Sequence, residues 1–143
     1  MNSATYEKIG AFVTRVSLGT VLIAHSLYLK AVVFTLPGTA AFFESIGLPG
    51  WSAYAVFAIE AIAGVALVLG VGVRWASLAS IPVLFGATWA HLGAGWLFSN
   101  EGGGWEYPLF LSVIAVAQVF LGAGAFAIRV PEARRSPVVA EAR

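Results

Sequence analysis

The sequence predicts an all-α integral membrane protein. We expect a four-helix bundle with up-down-up-down topology and a short interfacial helix, or lid, between helices 1 and 2. Composition is the first reason: 59% of the 143 residues are hydrophobic and 10% are charged, whereas soluble domains have about 25% charged residues. The second reason is four apolar stretches, each as long as the ~20 residues that cross a bilayer core.

The four stretches give the predicted helices. Tryptophan supports their ends, because four of the five tryptophans lie at segment boundaries, as in an interfacial aromatic belt. The predicted helices span residues 9–35, 51–73, 75–96 and 108–128, and the boundary tryptophans are Trp51, Trp75, Trp96 and Trp105. Residues 1–130 therefore form one transmembrane domain, and the polar segment 131–143 is predicted to be a disordered cytoplasmic tail.

Basic residues predict the orientation. Apart from Lys30, near the end of the first helix, they lie at the N-terminus, in the connection between helices 2 and 3, and in the tail. By the positive-inside rule these three regions face the cytoplasm. We therefore expect a multi-pass protein of a bacterial-type cytoplasmic (inner) membrane with both termini in the cytoplasm.

The connection between helices 1 and 2 predicts the lid. Residues 34–38 contain Pro37 and Gly38 and should end the first helix. Residues 39–46 are largely apolar and suit a short helix, with Thr39 as its N-cap. A plain surface loop is the alternative.

Ionisable residues inside the apolar stretches are the main functional signal. Helical rise places Glu60 roughly 13 Å below the outer boundary of its helix. A charge in hydrocarbon costs roughly 2.5–3.5 kcal/mol on insertion scales, so such residues usually face the interior of a bundle. Five of them, from four helices, fall in the outer half of the membrane: His25, Lys30, Glu60, His91 and Glu106.

Each of these residues also has a structural interpretation. Lys30 could extend to the outer head groups, and Glu106 could complement the dipole at the start of the fourth helix. Glu60 could form a structural ion pair, and His91 an interhelical hydrogen bond. Arg15, near the inner face, could extend inward or pair with a helix end.

Composition also excludes several classes of chemistry. A net charge of +1 does not suit nucleic-acid binding. Without cysteine there is no thiol relay, thiolate zinc site or iron–sulfur cluster. We expect no flavin or nucleotide site in this chain.

The pattern of these residues resembles the DoxX-like family of small four-helix membrane proteins. The matching features follow one another over most of the chain: Arg15 with Leu18-Gly19, His25, Lys30, Gly47-Leu48-Pro49, Glu60 with Gly64, Leu69-Gly70 with Arg74, His91, Glu106-Tyr107-Pro108-Leu109, and Gly122-Ala-Gly124. The resemblance implies a role in redox metabolism, because the family takes its name from a subunit linked to quinol oxidase and thiosulfate:quinone oxidoreductase complexes.

A quinone head group needs hydrogen-bond donors, a group that moves protons and an apolar entrance. We therefore expect a membrane subunit that binds a quinone or similar small hydrophobic molecule in an outer-leaflet polar pocket. Glu60 and His91 are the expected catalytic residues, and His25, Lys30 and Glu106 the expected ligand-binding residues. A soluble or membrane redox partner would supply electrons, and a homo-oligomer is compatible with the sequence.

Three other functions use the same residues. His25 and His91 could hold a b-type haem or a metal, although no Glu-x-x-His pair is present. Glu60 and His91 could act in a small proton-coupled transporter. The chain could also be a non-catalytic membrane anchor or assembly subunit whose polar residues fix the packing.

Overall fold

The computed structural model of the chain describes residues 2–128, and the regular secondary structure in that range is entirely helical. The predicted all-α class is thus confirmed. The predicted tail at 131–143 lies outside the described residues. There are five α-helices: α1 (Ser3–Ile23), which continues directly as a π-helix (Ala24–Val33), α2 (Leu36–Ser45), α3 (Trp51–Leu69), α4 (Val73–Ala90) and α5 (Glu106–Leu121).

Two of these helical segments are long and apolar enough to cross a membrane. They are the continuous helix Ser3–Val33, with 31 residues, and α3, with 19. The first helix begins six residues before the predicted start because the Asn2 side chain accepts the Thr5 N–H at 3.1 Å and caps it. α4 has 18 residues and α5 has 16, so both are shorter than the predicted spans 75–96 and 108–128.

The helices pack in sequence around a shared core. α1 contacts α3, α3 contacts α4, α4 contacts α5, and α5 contacts α1. α1 and α3 approach most closely at Gly19 and Gly64: a Cβ added to Gly19 would lie 2.8 Å from the Gly64 carbonyl oxygen, and one added to Gly64 would lie 2.9 Å from that of Gly19. Small residues at a crossing let two backbones come this close, which is a common solution in membranes.

The short helix between the first two long ones is present, but its cap differs from the prediction. α2 begins at Leu36, and Thr35 rather than Thr39 is the N-cap. The Thr35 hydroxyl accepts the Gly38 N–H at 3.2 Å, while buried Thr39 donates its own hydroxyl to the Thr35 carbonyl at 2.9 Å. Pro37 lies in the first helical turn, where its missing N–H would have no helical partner.

The last helix ends at Leu121, seven residues before the predicted end at 128. Gly122 and Gly124 adopt φ of 70° and 67°, which glycine accepts and other residues rarely do. The chain then crosses the end of the molecule, where Ala125 donates its N–H to the Lys8 carbonyl at 2.9 Å. Residues 123–128 are apolar without continuing the helix, and Phe126 and Ile128 in this segment are 82% and 55% exposed.

Arg15 holds this end of the molecule together. It is fully buried and donates to four backbone carbonyls: Leu67 at 2.6 Å, Val68 and Ala123 at 2.7 Å, and Ala125 at 3.0 Å. Two of these carbonyls belong to the last turn of α3 and two to the segment after α5. The interpretation that pairs Arg15 with a helix end is therefore correct, and the one that extends it inward is wrong.

Candidate functional site

The polar residues of the first helix lie on a π-helix, which the sequence did not reveal. Five residues separate His25 from Lys30, and in an α-helix this spacing would turn them about 140° apart. A π-helix hydrogen-bonds each residue to the one five positions on, so it stacks such a pair on one side. The π-helix at Ala24–Val33 therefore directs both side chains toward the same neighbour.

That neighbour is Glu60 of α3. The Lys30 ammonium donates to Glu60 Oε2 at 2.7 Å, and the two side chains are 15% and 7% exposed. At this exposure the pair is largely desolvated, so removing either partner would leave a buried charge. The suggestion that Lys30 only extends to head groups is wrong, and the expectation that Glu60 is paired is confirmed.

His25 and Tyr107 complete this group, which we call the polar cluster: His25, Lys30, Glu60 and Tyr107. The rings of His25 and Tyr107 stack with centroids 6.3 Å apart and planes 28° from parallel. His25 also lies close enough to Glu60 to act on it electrostatically. Its Nδ1 lies 2.9 Å from the Val21 carbonyl, so Nδ1 carries a proton and donates it to that carbonyl.

His91 and Glu106 are placed elsewhere. His91 Nδ1 lies 2.9 Å from the Gly102 carbonyl, where it fixes the connection between α4 and α5. Glu106 accepts the Phe98 N–H at 2.9 Å and thereby fixes the same connection from its other side. The two expected catalytic residues are therefore apart: Glu60 pairs with Lys30, and His91 hydrogen-bonds the Gly102 carbonyl. Within residues 2–128, no three His, Asp or Glu side chains form a metal-ligand group.

An open cavity of about 500 Å³ adjoins the polar cluster. We call it the aromatic groove, and Tyr107 belongs to both. Its seven lining residues come from the start of α5 and from the connection before it: Trp96, Phe98, Glu106, Tyr107, Leu109, Phe110 and Val113.

The sequence reasoning missed Tyr107 and underrated Arg15. Tyr107 follows Glu106 directly, and the signal that could have found it is its position one residue before the fourth apolar stretch. An aromatic ring there faces the preceding helices at the depth of His25. Arg15 was assigned only a peripheral role because hydrogen bonds from a side chain to distant carbonyls leave no periodic pattern.

A long helix with an apolar surface around a buried ion pair defines a helical membrane protein. Many large apolar side chains face outward, among them Ile62, Trp75 and Phe120 at 71%, 76% and 79% exposure. Polar side chains such as Glu60 and Gln118 are buried. This is the arrangement expected when lipid replaces water.

Comparison with known proteins confirms this class and supplies the family. The chain belongs to the DoxX family, whose model matches residues 10–93, and DoxX proteins are membrane proteins. The matched region includes Arg15 and three of the four residues of the polar cluster.

One relative is a Bacillus subtilis (strain 168) protein named "Putative oxidoreductase CatD". It is 36% identical over 80 residues, which cover 56% of this chain and 58% of the relative. The chain thus spans less than two thirds of that relative's length. No solved structure matches the chain.

Proposed function

We propose that this protein is a membrane subunit of a redox system and that it binds a quinone, or a similar small hydrophobic molecule, at the polar cluster. Family membership and the name of the B. subtilis relative support the redox assignment. The observation that carries the proposal is the desolvated Lys30–Glu60 pair beside His25 and Tyr107.

The chemistry of these residues suits a quinone head group. One Lys30 N–H is engaged by Glu60, and its remaining donors can reach a quinone carbonyl. Reduction of a quinone consumes two electrons and two protons and yields a quinol. Glu60 and His25 are the groups that exchange these protons, because both change charge when they take up or release a proton. The electrons come from a soluble or membrane redox partner.

The proposal assigns His91 and Glu106 a different role from the expected one. Their hydrogen bonds to Gly102 and Phe98 hold the connection between α4 and α5. They therefore position Tyr107, in the first turn of α5, and do not themselves contact the head group.

We further propose that the long helices form an up-down-up-down transmembrane bundle in a cytoplasmic membrane. The packing order of α1, α3, α4 and α5 supports this arrangement. In this orientation both termini are cytoplasmic, the polar cluster lies in the outer leaflet, and α2 is a lid that contacts α3 and the π-helix.

Quinone binding by the full-length protein tests the proposal. Protein in lipid nanodiscs would be titrated with decylubiquinone, and binding would be read as quenching of tryptophan fluorescence relative to empty nanodiscs. We expect saturable binding that Glu60→Gln weakens about tenfold by removing a charge-assisted contact. Glu44→Gln is the matched control, because Glu44 is exposed.

Two results would refute the proposal. One is the absence of saturable quenching by quinone in wild-type protein. The other is equal quinone affinity in wild type and Glu60→Gln, measured at a temperature at which a thermal melt shows both proteins to be folded. An optical spectrum of the purified protein distinguishes the alternatives, since a Soret band that either His25→Ala or His91→Ala removes would assign haem instead.

A further inference from the structure

We propose that the aromatic groove is a second binding site, for a single-chain lipophilic ammonium cation. The groove is distinct from the polar cluster: His25, Lys30 and Glu60 do not line it, and Tyr107 is the wall between the two. Its seven lining residues combine one carboxylate with four aromatic rings and two aliphatic side chains, Leu109 and Val113, of α5.

The charge of the groove lining favours a cationic ligand. Glu106 is the one ionisable acid in the lining, and no lysine or arginine accompanies it. Its Oε1 accepts the Phe98 N–H at 2.9 Å, and the residue lines the groove, so Oε2 is available to a ligand there. Among residues 2–128 the ion pair present is Lys30–Glu60, so the Glu106 charge has no cationic partner there. A ligand with one positive charge supplies it.

The aromatic rings of the groove also favour a cationic ligand. Four aromatic residues share the groove lining with the Glu106 carboxylate: Trp96, Phe98, Tyr107 and Phe110. The faces of such rings attract cations, and clusters of them recognise quaternary ammonium groups. A carboxylate with several rings therefore favours an ammonium head group over a neutral or anionic one.

The shape of the groove specifies the rest of the ligand. Glu106, Leu109, Phe110 and Val113 are spaced three and four residues apart, so they lie on one face of α5. An alkyl chain attached to an ammonium group at Glu106 can follow this face. A zwitterionic phospholipid fits less well, because its phosphate would find no basic side chain in the lining.

The groove is held in shape before any ligand binds. Trp105 and Glu106 donate their N–H groups to the carbonyls of Gly95 and Trp96 at 3.1 and 3.2 Å. The rings of Trp96 and Trp105 meet edge to face with centroids 4.4 Å apart. A ligand therefore binds without ordering a loose loop, which favours affinity.

Equilibrium dialysis of the full-length protein in dodecyl maltoside micelles tests this site. The probe is radiolabelled decyltrimethylammonium, and empty micelles at the same detergent concentration give the background. We expect saturable uptake of one cation per wild-type protein. In Glu106→Gln the affinity for the cation should be about tenfold lower. Glu101→Gln, which removes an exposed carboxylate of the same connection, should bind as wild type does.

Glu106→Gln keeps an acceptor for the Phe98 N–H, so the fold should survive, and a thermal melt checks this. If the variant does not fold, Phe110→Leu replaces it: this change keeps an apolar side chain, removes one ring and should lower the affinity about threefold. Uptake equal to that of empty micelles would overturn the proposal. Displacement of the labelled probe by 1-decanol as strong as that by unlabelled decyltrimethylammonium would also overturn it. Because the probe is not a quinone, failure here leaves the quinone titration unaffected.

Discussion

Arg15 gives the sharpest prediction. Its guanidinium donates to four carbonyls, and replacing it by methionine removes these donors while keeping an unbranched apolar side chain of similar length. The Leu67 carbonyl would retain the Gly70 N–H at 3.2 Å. The other three carbonyls, Val68, Ala123 and Ala125, would lose the partner that the structure gives them.

The size of the effect follows from those three acceptors. A buried acceptor left without a partner costs about 1–3 kcal/mol, so three of them cost roughly 3–9 kcal/mol. Since the contacts to these three carbonyls are only partly buried, we expect a value near the lower limit, about 3–4 kcal/mol. At about 2–4 °C per kcal/mol, the melting temperature should fall by on the order of 10 °C.

The assay is thermal unfolding of purified protein in one detergent, with three variants side by side. Arg15→Met should show the full loss. Arg15→Lys should show a smaller loss, because an ammonium group keeps the charge but cannot reach all four carbonyls from one point. Arg74→Met is the control, since Arg74 is exposed at the same end. A melting temperature of Arg15→Met within about 2 °C of wild type would refute the claim that the four Arg15 hydrogen bonds stabilise this end of the molecule.

Three further predictions concern the remaining framework. Lys30→Met should destabilise the protein by about 3–5 kcal/mol, because it leaves a buried carboxylate without a partner. The double variant Lys30→Met with Glu60→Leu should recover most of that loss in a thermal melt. A double variant no more stable than Lys30→Met would show that the two residues do not stabilise the protein as a pair. Gly64→Ala should lower the melting temperature because the new Cβ would meet the Gly19 backbone, whereas Gly86→Ala, with nothing within 4 Å, should not; equal melts would contradict the close crossing. A reporter fused at Gly103 should be external, and a cytoplasmic signal there would reverse the proposed orientation.

The polar cluster shows how far periodicity reaches. The sequence identified Glu60, His25 and Lys30 as ionisable residues in apolar helices, where they are rare. A charge in hydrocarbon costs free energy in any fold, so this identification does not depend on the tertiary structure. It left the partner of Glu60 open among His25, His91 and Lys30. Helical rise gives depth along a helix but not rotation about its axis, and the π-helix changes that rotation for every residue from Ala24 to Val33.

The sequence by itself thus determined the helical class, the approximate helix positions and the residues worth testing. These depend on apolar length and on the cost of isolated charges, which are local properties of the chain. Tertiary structure alone decided that Lys30 pairs with Glu60, that His91 binds the Gly102 carbonyl, and that Arg15 holds the segment after α5. Each of these depends on contacts between residues distant in sequence, where several partners satisfy the same local pattern and only packing selects one.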